Sequence, residues 1–432
     1  MNSSRAVVNS HRRSLRTPPS GRCPCQHLVL EKIVSNNNNT VRFNYYTALE
    51  IHMPSKPVIC GFARSPFTPA NKGGLATARP DDIAAAVIKG LLDKIALDPA
   101  FIEDVLVGCA FPEGEQGFNL GRMVGFLAGL PVSVGGVTIN RFCGSSMQAI
   151  HDAAGRIALG AGDAFIAGGV ESMSRIPMSG FNPLPNPRLA AEQPEAFTNM
   201  GVTAENLALA YEISRTEQEE FAVASNQRAV TASQAGAFSE VIIPIETEDG
   251  IVSEDGCIRA QSDVETLAKL RPAFIENGSV TAGTSSPLTD GAAFVLVCSE
   301  EFAKQHGLTP MARILSVAIS GCAPEVMGIG PVEATKKALE RGGVALEDID
   351  VIELNEAFAA QSLAVIEELG LDVAKVNIDG GALALGHPLG ASGARIVGRA
   401  ATILSRNGAS TALATMCIGG GQGIATVLEK VE

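Results

Sequence analysis

Apolar residues in the stretch 83–97, IAAAVIKGLLDKIAL, recur at three- and four-residue intervals, which predicts an amphipathic helix. The β-prone run IEDVLV (102–107) follows it. The same order returns 244 positions later, where the helical stretch PVEATKKALERGGVAL (331–346) leads into LEDIDV (346–351). A longer pair repeats as well: CGSSMQAIHDAAGRIALGAGDAFIAGG (143–169) resembles LGASGARIVGRAATILSRNGASTALATMCIGGG (389–421). Each reads as a Gly/Ser-rich helix start, an Ala-rich helix, a turn with glycine, and an apolar β-branched strand that ends in glycines. Strands alternating with helices, twice over, predict two similar α/β halves.

The first half is the longer, because residues 173–283 break the pattern. They carry the Pro- and Asn-dense FNPLPNPRLAAEQPEAF, then the charged helical stretch TAENLALAYEISRTEQEEFAVASNQRAVTAS, then TEDGIVSEDG. We expect a surface excursion rather than a core element. Inside it, Ser214 followed three residues on by Glu217 predicts a capped helix start. Residues 1–52 show no sustained apolar period and contain NNNN at 37–40, so they are expected to form a disordered extension outside the fold. Its first part, with no acidic residue before Glu31, has the composition of a mitochondrial transit peptide. The alternative is that Met53 opens the protein at MPSKPVICGFARSPF.

At 432 residues the chain exceeds one ordinary core, and 45 glycines with 46% hydrophobic content suit an α/β protein rich in tight strand–helix turns. The net charge of −13 is unevenly spread: residues 1–52 hold seven Lys/Arg against two acidic residues, +5, which leaves −18 for the remainder. The body is therefore no general polyanion binder, and nucleic acid is not an expected partner. No apolar run reaches the roughly 18–20 uncharged residues that a bilayer crossing needs, so no membrane span is expected. Nine cysteines, without metal-type spacing apart from Cys23 and Cys25, predict reduced thiols rather than a disulfide scaffold. A cytoplasmic location follows, or the mitochondrial matrix if residues 1–52 are a transit peptide.

Four short stretches carry chemistry. In INRFCGSSMQA (139–149), Val137 and Ile139 predict a strand before Cys143, and Gly144–Ser145–Ser146 opens a helix after it. A thiol at a helix N-terminus has its thiolate favoured by the dipole, and the backbone N–H of Cys143 can face a developing oxyanion. His387 lies in a Gly–His–Pro turn just before the second half's buried helix, at the junction equivalent to that of Cys143, and is the candidate base for the thiol. In MCIGGGQG (416–423), Cys417 ends an apolar strand; a second thiol there can carry protons to and from carbon near neutral pH. In ELNEAFAAQS (353–362), Asn355 is placed to hold a water or a carbonyl oxygen, while Glu356 is read as structural. A lone cysteine or histidine is ordinarily a packing residue. Together these four argue for nucleophilic catalysis.

NRFCGSSMQA, GGVESMS (168–174), NEAFA (355–359), GGALALGHPLGASG and CIGGGQG together resemble the thiolases, enzymes that make or break the carbon–carbon bond of 3-oxoacyl-CoA. The likeness runs in order from about residue 56 to the C-terminus. It implies the thiolase fold: two duplicated βαβαβαββ halves, 54–299 and 306–432, in a five-layer α-β-α-β-α arrangement, with an inserted loop domain at 173–283 over the coenzyme A. It also implies that Cys143 is acylated, that His387 activates it, and that Cys417 is the acid/base. Asn355 with His387 then shapes one oxyanion hole, and the amides of Cys143 and Gly419 shape a second. VTAGTSSPLTDGAA (280–293) matches the family's CoA-contacting segment, with Ser286 at the pantetheine and Thr284 where many members have Asn; Arg259 is a weaker match to a residue near the nucleotide phosphates. Neither a metal nor a permanently bound cofactor is implied, CoA being co-substrate, and a homodimer or homotetramer is expected.

ESMSRIPM (171–178) resembles the degradative, β-oxidation-type thiolases more than the acetoacetyl-CoA-forming ones, which usually carry a His-containing loop just after it. Acetyl-CoA acetyltransferase is the alternative within the family. A ketosynthase would lack the second cysteine, and a catalytically dead lipid-binding relative would have lost the Cys or the His motif.

Overall fold

The structure, a computed structural model, describes residues 55–431 and, before them, two strands, Leu30–Asn36 and Asn39–Tyr45, that pair antiparallel. These strands depart from the expectation of an unpatterned extension: Ile33, Val34, Val41 and Phe43 supply β-prone residues to each. The remainder of 1–52, and with it the transit-peptide and start-site readings, lies outside the described residues. Met1–Met53 and Pro54–Glu432 are separate units.

The strands of the second unit are β1 (Pro57–Arg64), β2 (Asp104–Gly108), β3 (Gly135–Ile139), β4 (Ala164–Ser172), β5 (Thr289–Ser299), β6 (Ala312–Gly321), β7 (Val351–Leu354), β8 (Thr411–Ile418) and β9 (Gln422–Glu429). Its main helices are α1 (Pro80–Ile95), α2 (Leu120–Leu127), α3 (Ser145–Ala158), α4 (Met200–Ala210), α5 (Arg215–Gln234), α6 (Gly330–Gly342), α7 (Ala359–Leu369) and α8 (Leu389–Asn407). Strand order is β7-β8-β9-β6-β1-β5-β4-β2-β3, with the short Thr68–Pro69 paired to β5. From the centre outward, the two sides match: β1 with β6, β5 with β9, β4 with β8 and β2 with β7. They are joined by a ladder of two residue pairs, Ala312 with Ile59 and Arg313 with Val58. The counterpart of β3 is reduced to a parallel bridge between Ile352 and Val376.

The duplication read from the repeats is thus present. Helices α3 and α8 pack on each other and on strands of both sides, while α1 and α2 cover one outer face and α6 and α7 the other. Every residue of β4 and of β5 is buried, which is why their stretches AFIAGGV (164–170) and GAAFVLVC (291–298) read as apolar runs. Alanines 391, 394, 400 and 401 let α8 lie close against its neighbours. At Gly393 even a Cβ would come within 2.5 Å of the Met147 amide of α3.

One expectation needs correction. The segment 173–283 is no mere surface excursion, since α5 buries Ala222, Ser225, Ala229 and Ala232 on one face and packs on the second side's 380–385 segment. Most of the charged residues that suggested exposure occupy the other faces of the helix, while Glu219 is buried and pairs with Arg215 one turn earlier. Its start is as read: Ser214 Oγ accepts from the Glu217 amide at 3.2 Å, and Glu217 accepts from the Ser214 amide at 2.7 Å.

Candidate active site

β3 ends at Ile139, and the chain reverses before α3 through a short 3-10 turn, Phe142–Gly144. Asn140 Oδ1 accepts from the Phe142 amide at 2.9 Å, and Ser145 Oγ accepts from the Arg141 amide at 2.9 Å while donating to the Phe142 carbonyl at 2.6 Å. This lattice holds Phe142 at φ +44°, a left-handed backbone that non-glycine residues rarely adopt. The turn presents Cys143, half-buried, at the head of the helix.

The helix-start position leads one to expect a thiolate. Burial overrides it: the Cys143 thiol is pushed up to about 11, although the amides of Gly419 and of Cys143 itself favour the charged form. The resting residue is a neutral thiol, so it needs a base to become a nucleophile. Those two amides are the pair expected to form the second oxyanion hole, and both face the sulfur.

His387 follows Gly386, whose φ of +96° and lack of Cβ the turn requires: a Cβ there would meet the Thr289 side chain at 2.7 Å. Thr289 Oγ1 accepts from the His387 amide at 3.0 Å. Nδ1 of the ring lies 2.5 Å from Ser392 Oγ and Nε2 lies 3.4 Å from Asn355 Nδ2. Burial, with the charge of Arg395 second, lowers this imidazole to about 3, so it is neutral and free to accept a proton. Asn355 is fully buried just after β7, and its Oδ1 has no hydrogen-bond partner among the described residues, as suits a group that awaits a water or a substrate oxygen. A buried ion pair between Glu353 and Arg395, 3.1 Å apart, ties β7 to α8 and so couples the elements that carry Asn355 and His387.

Cys417 is the penultimate residue of β8, buried. Burial drives its thiol far above the ordinary range, with the neighbouring Cys143 and Cys322 adding to the rise. The thiol therefore rests protonated at neutral pH instead of titrating there. Among the described residues no cation contributes to the environment of Cys417, so no positive charge offsets the desolvation.

Glu356 is structural, as read: its carboxylate accepts from Ser225 Oγ at 2.6 Å, Asn377 Nδ2 at 2.7 Å and the Leu383 amide at 3.2 Å. Ser286 donates its amide to the Ala357 carbonyl at 3.0 Å, which brings it to the Asn355 loop. Arg259 is exposed on a loop pinned to α5, its amide 2.9 Å from Asn226 Oδ1, and its contacts lie there rather than with the cysteine–histidine cluster.

Sequence reasoning missed Glu171. This buried carboxylate accepts from the amides of Ala110 at 2.8 Å, Phe111 at 3.2 Å and Gly390 at 2.9 Å, and from Gln116 Nε2 at 2.8 Å. It clamps the first turn of α8 to the first half beside Cys143, and its charge adds to the rise of that thiol. The signal was there, an acidic residue inside the otherwise apolar strand AFIAGGVES. Among the described residues no group of His, Cys, Asp and Glu is arranged to hold a metal ion, and no helix is long and apolar enough to cross a membrane.

Comparison with known proteins gives the family. The N-terminal domain of thiolases matches residues 57–301 and the C-terminal domain matches 308–430. A 3-ketoacyl-CoA thiolase of Pseudoalteromonas translucida (strain TAC 125) is 50% identical over 388 residues, covering 88% of this chain and 100% of its own. One from Bacillus subtilis (strain 168) is 47% identical over 385 residues, covering 86% and 98%. Among solved structures, the acetyl-CoA acetyltransferase of Bacillus anthracis superposes with a TM-score of 0.81 at 39% identity, covering 88% of this chain and 100% of its own.

Proposed function

This chain belongs to the thiolase family, and from that premise we propose that it cleaves 3-oxoacyl-CoA with CoA, giving acetyl-CoA and an acyl-CoA two carbons shorter. As the thiol attacks, His387 Nε2 takes the Cys143 proton and the sulfur bonds to the 3-keto carbon. The carbonyl electrons move onto oxygen, between the backbone amides of Cys143 and Gly419, while Asn355 and the now protonated His387 hold the thioester oxygen of the part that leaves. Collapse of that oxyanion breaks the bond to the α-carbon, and the leaving enolate takes a proton from Cys417 as acetyl-CoA departs. The acyl group stays on Cys143 as a thioester. The thiol of incoming CoA, its proton drawn off by the Cys417 thiolate, attacks that carbonyl, and Cys143 leaves and recovers its proton from His387.

The high proton affinity of Cys417 suits this role. A carbon acid is far weaker than an ordinary thiol, and a thiolate that holds its proton tightly is the stronger base toward it. The reading is supported by Cys417 beside Cys143, whose sulfur the amides of Cys143 and Gly419 face, and by His387 standing just before α8, the helix that packs against the turn carrying Cys143. Ser286 and Arg259 are proposed CoA contacts, and CoA is a substrate rather than a resident group. The half-exposed edge strand β3, with Phe118, Phe126 and Val132 exposed in the segment that leads into it, supports pairing with a second copy.

The degradative direction rests on the names of relatives at 46–50% identity. The biosynthetic alternative is favoured by the acetyl-CoA acetyltransferase neighbour at 39%. Thiolysis of 3-oxoacyl-CoA from four carbons upward separates them. Medium chains should be cleaved at least as efficiently as acetoacetyl-CoA, and strict confinement to four carbons would decide for the acetyltransferase.

A further inference from the structure

Ser392 lies inside the stretch GGALALGHPLGASG (380–393) with no role assigned to it by the sequence, and its surroundings give it one. It stands in the first turn of α8, fully buried, five residues after His387. Its Oγ is 2.5 Å from His387 Nδ1 and 2.9 Å from the Pro388 carbonyl oxygen. A carbonyl can only accept, so the Ser392 hydroxyl proton goes to Pro388 and its lone pairs are left to face Nδ1. On the far side of the ring, the amide nitrogen Nδ2 of Asn355 can only donate, and it faces Nε2. Both neighbours therefore require the same tautomer, with the proton on Nδ1 and the lone pair on Nε2. The opposite tautomer needs Ser392 to abandon Pro388 and the Asn355 amide to turn over. It would keep two of these hydrogen bonds where the first arrangement has all three.

We propose that Ser392 is a positioning residue that fixes His387 in the Nδ1–H tautomer, so that Nε2 is the atom that takes the Cys143 proton. This deepens, and rests on, the reading of His387 as the base. When the Cys143 S–H bond breaks, its proton moves to Nε2 and the ring becomes an imidazolium. The Nδ1 proton stays where it is, bonded to Ser392, whose hydroxyl gains no charge. Without an acceptor at Nδ1 the ring loses its reason to keep the proton there. A proton on Nε2 would leave the thiol with no lone pair to use.

The test is ¹⁵N spectroscopy of the histidine-labelled protein at neutral pH, with the His387 signals identified by their loss in His387→Asn. The expected spectrum shows a protonated Nδ1 and a bare Nε2. Ser392→Ala should shift His387 toward the Nε2–H form and lower kcat for thiolysis by about 10–100-fold, while KM for CoA changes little. A wild-type spectrum with the proton on Nε2 overturns the proposal, and that measurement stands even if Ser392→Ala does not fold. So does a Ser392→Ala protein with the wild-type tautomer and full turnover. Failure of the underlying reading looks different: His387→Asn would then keep its turnover, whatever the tautomer.

Discussion

Gly169 sits in β4 where three backbones converge, beside Gly108 of β2 and facing Gly390 in the first turn of α8. A Cβ at 169 would stand 2.1 Å from the Gly390 carbonyl oxygen and 2.5 Å from that of Gly108. Comfortable contact is about 3.5 Å, so Gly169→Ala demands a shift of roughly 1 Å or more from main chain, which cannot swing aside as a side chain does. Overpacking typically costs about 1–3 kcal/mol, and backbone on two sides puts this site at the upper end. At about 3 kcal/mol, and roughly 2–4 °C per kcal/mol, Tm should drop by about 6–12 °C. The functional loss is separate. α8 begins two residues after His387, so pushing it outward carries the imidazole away from Cys143, and a misplacement of about 1 Å can cost about 10²-fold in rate. Gly155→Ala is the control: it lies exposed in α3 with nothing within 4 Å of the added Cβ. There the change should stabilise by about 0.5–1 kcal/mol. Thermal unfolding and initial thiolysis rates measure both variants. Wild-type Tm and turnover in Gly169→Ala would refute the close approach, as would equal damage from Gly155→Ala.

Cys143→Ser should abolish the one-acetyl mass gain seen by intact-mass spectrometry after mixing with acetyl-CoA, whereas Cys417→Ser should keep it and lose thiolysis by roughly 10²–10⁴-fold. An acetylated Cys143→Ser protein, or normal thiolysis by Cys417→Ser, would reverse the roles given to the two thiols. His151 is buried, its Nε2 2.8 Å from Thr426 Oγ1, and burial lowers it to about 3. Below its ordinary value the unfolded chain takes up a proton that the folded one refuses, so the folded state loses stability as pH falls. Between pH 6.5 and 5 the loss is about 2 kcal/mol. Urea unfolding of wild type and His151→Gln at both pH values should show the stability gap between them shift by that amount, and an unchanged gap would contradict a buried neutral histidine.

The duplication was legible because it is written in local pattern. α1 and α6 lead through short turns into β2 and β7, and α3 and α8 into β4 and β8, along the repeated stretches. Cys143, His387, Asn355 and Cys417 were legible because each stands against a background of glycine and small residues. What escaped depends on contacts distant in sequence. Glu171 and Gly390 are 219 positions apart, and no pattern within AFIAGGVES tells that its carboxylate will meet four donors. The protonation of both thiols escaped for a related reason. A helix start is visible in the sequence, but the desolvation that outweighs it comes from elements far along the chain. The α5 face was misjudged because Ala222, Ser225, Ala229 and Ala232 are too small to outweigh the surrounding charge in a hydropathy reading.

The equivalence of the Cys143 and His387 junctions across the matched halves bears on how such chemistry can arise at all. Two unlinked copies of one half, related by a twofold axis, must show the same residue at facing positions. Cysteine would oppose cysteine, or histidine would oppose histidine, and neither pairing gives a nucleophile with its base. Joining the copies in one chain removes that constraint, because each side can then vary alone. The broken symmetry at the heads of α3 and α8 is thus the part of this molecule that a self-associating half could never supply.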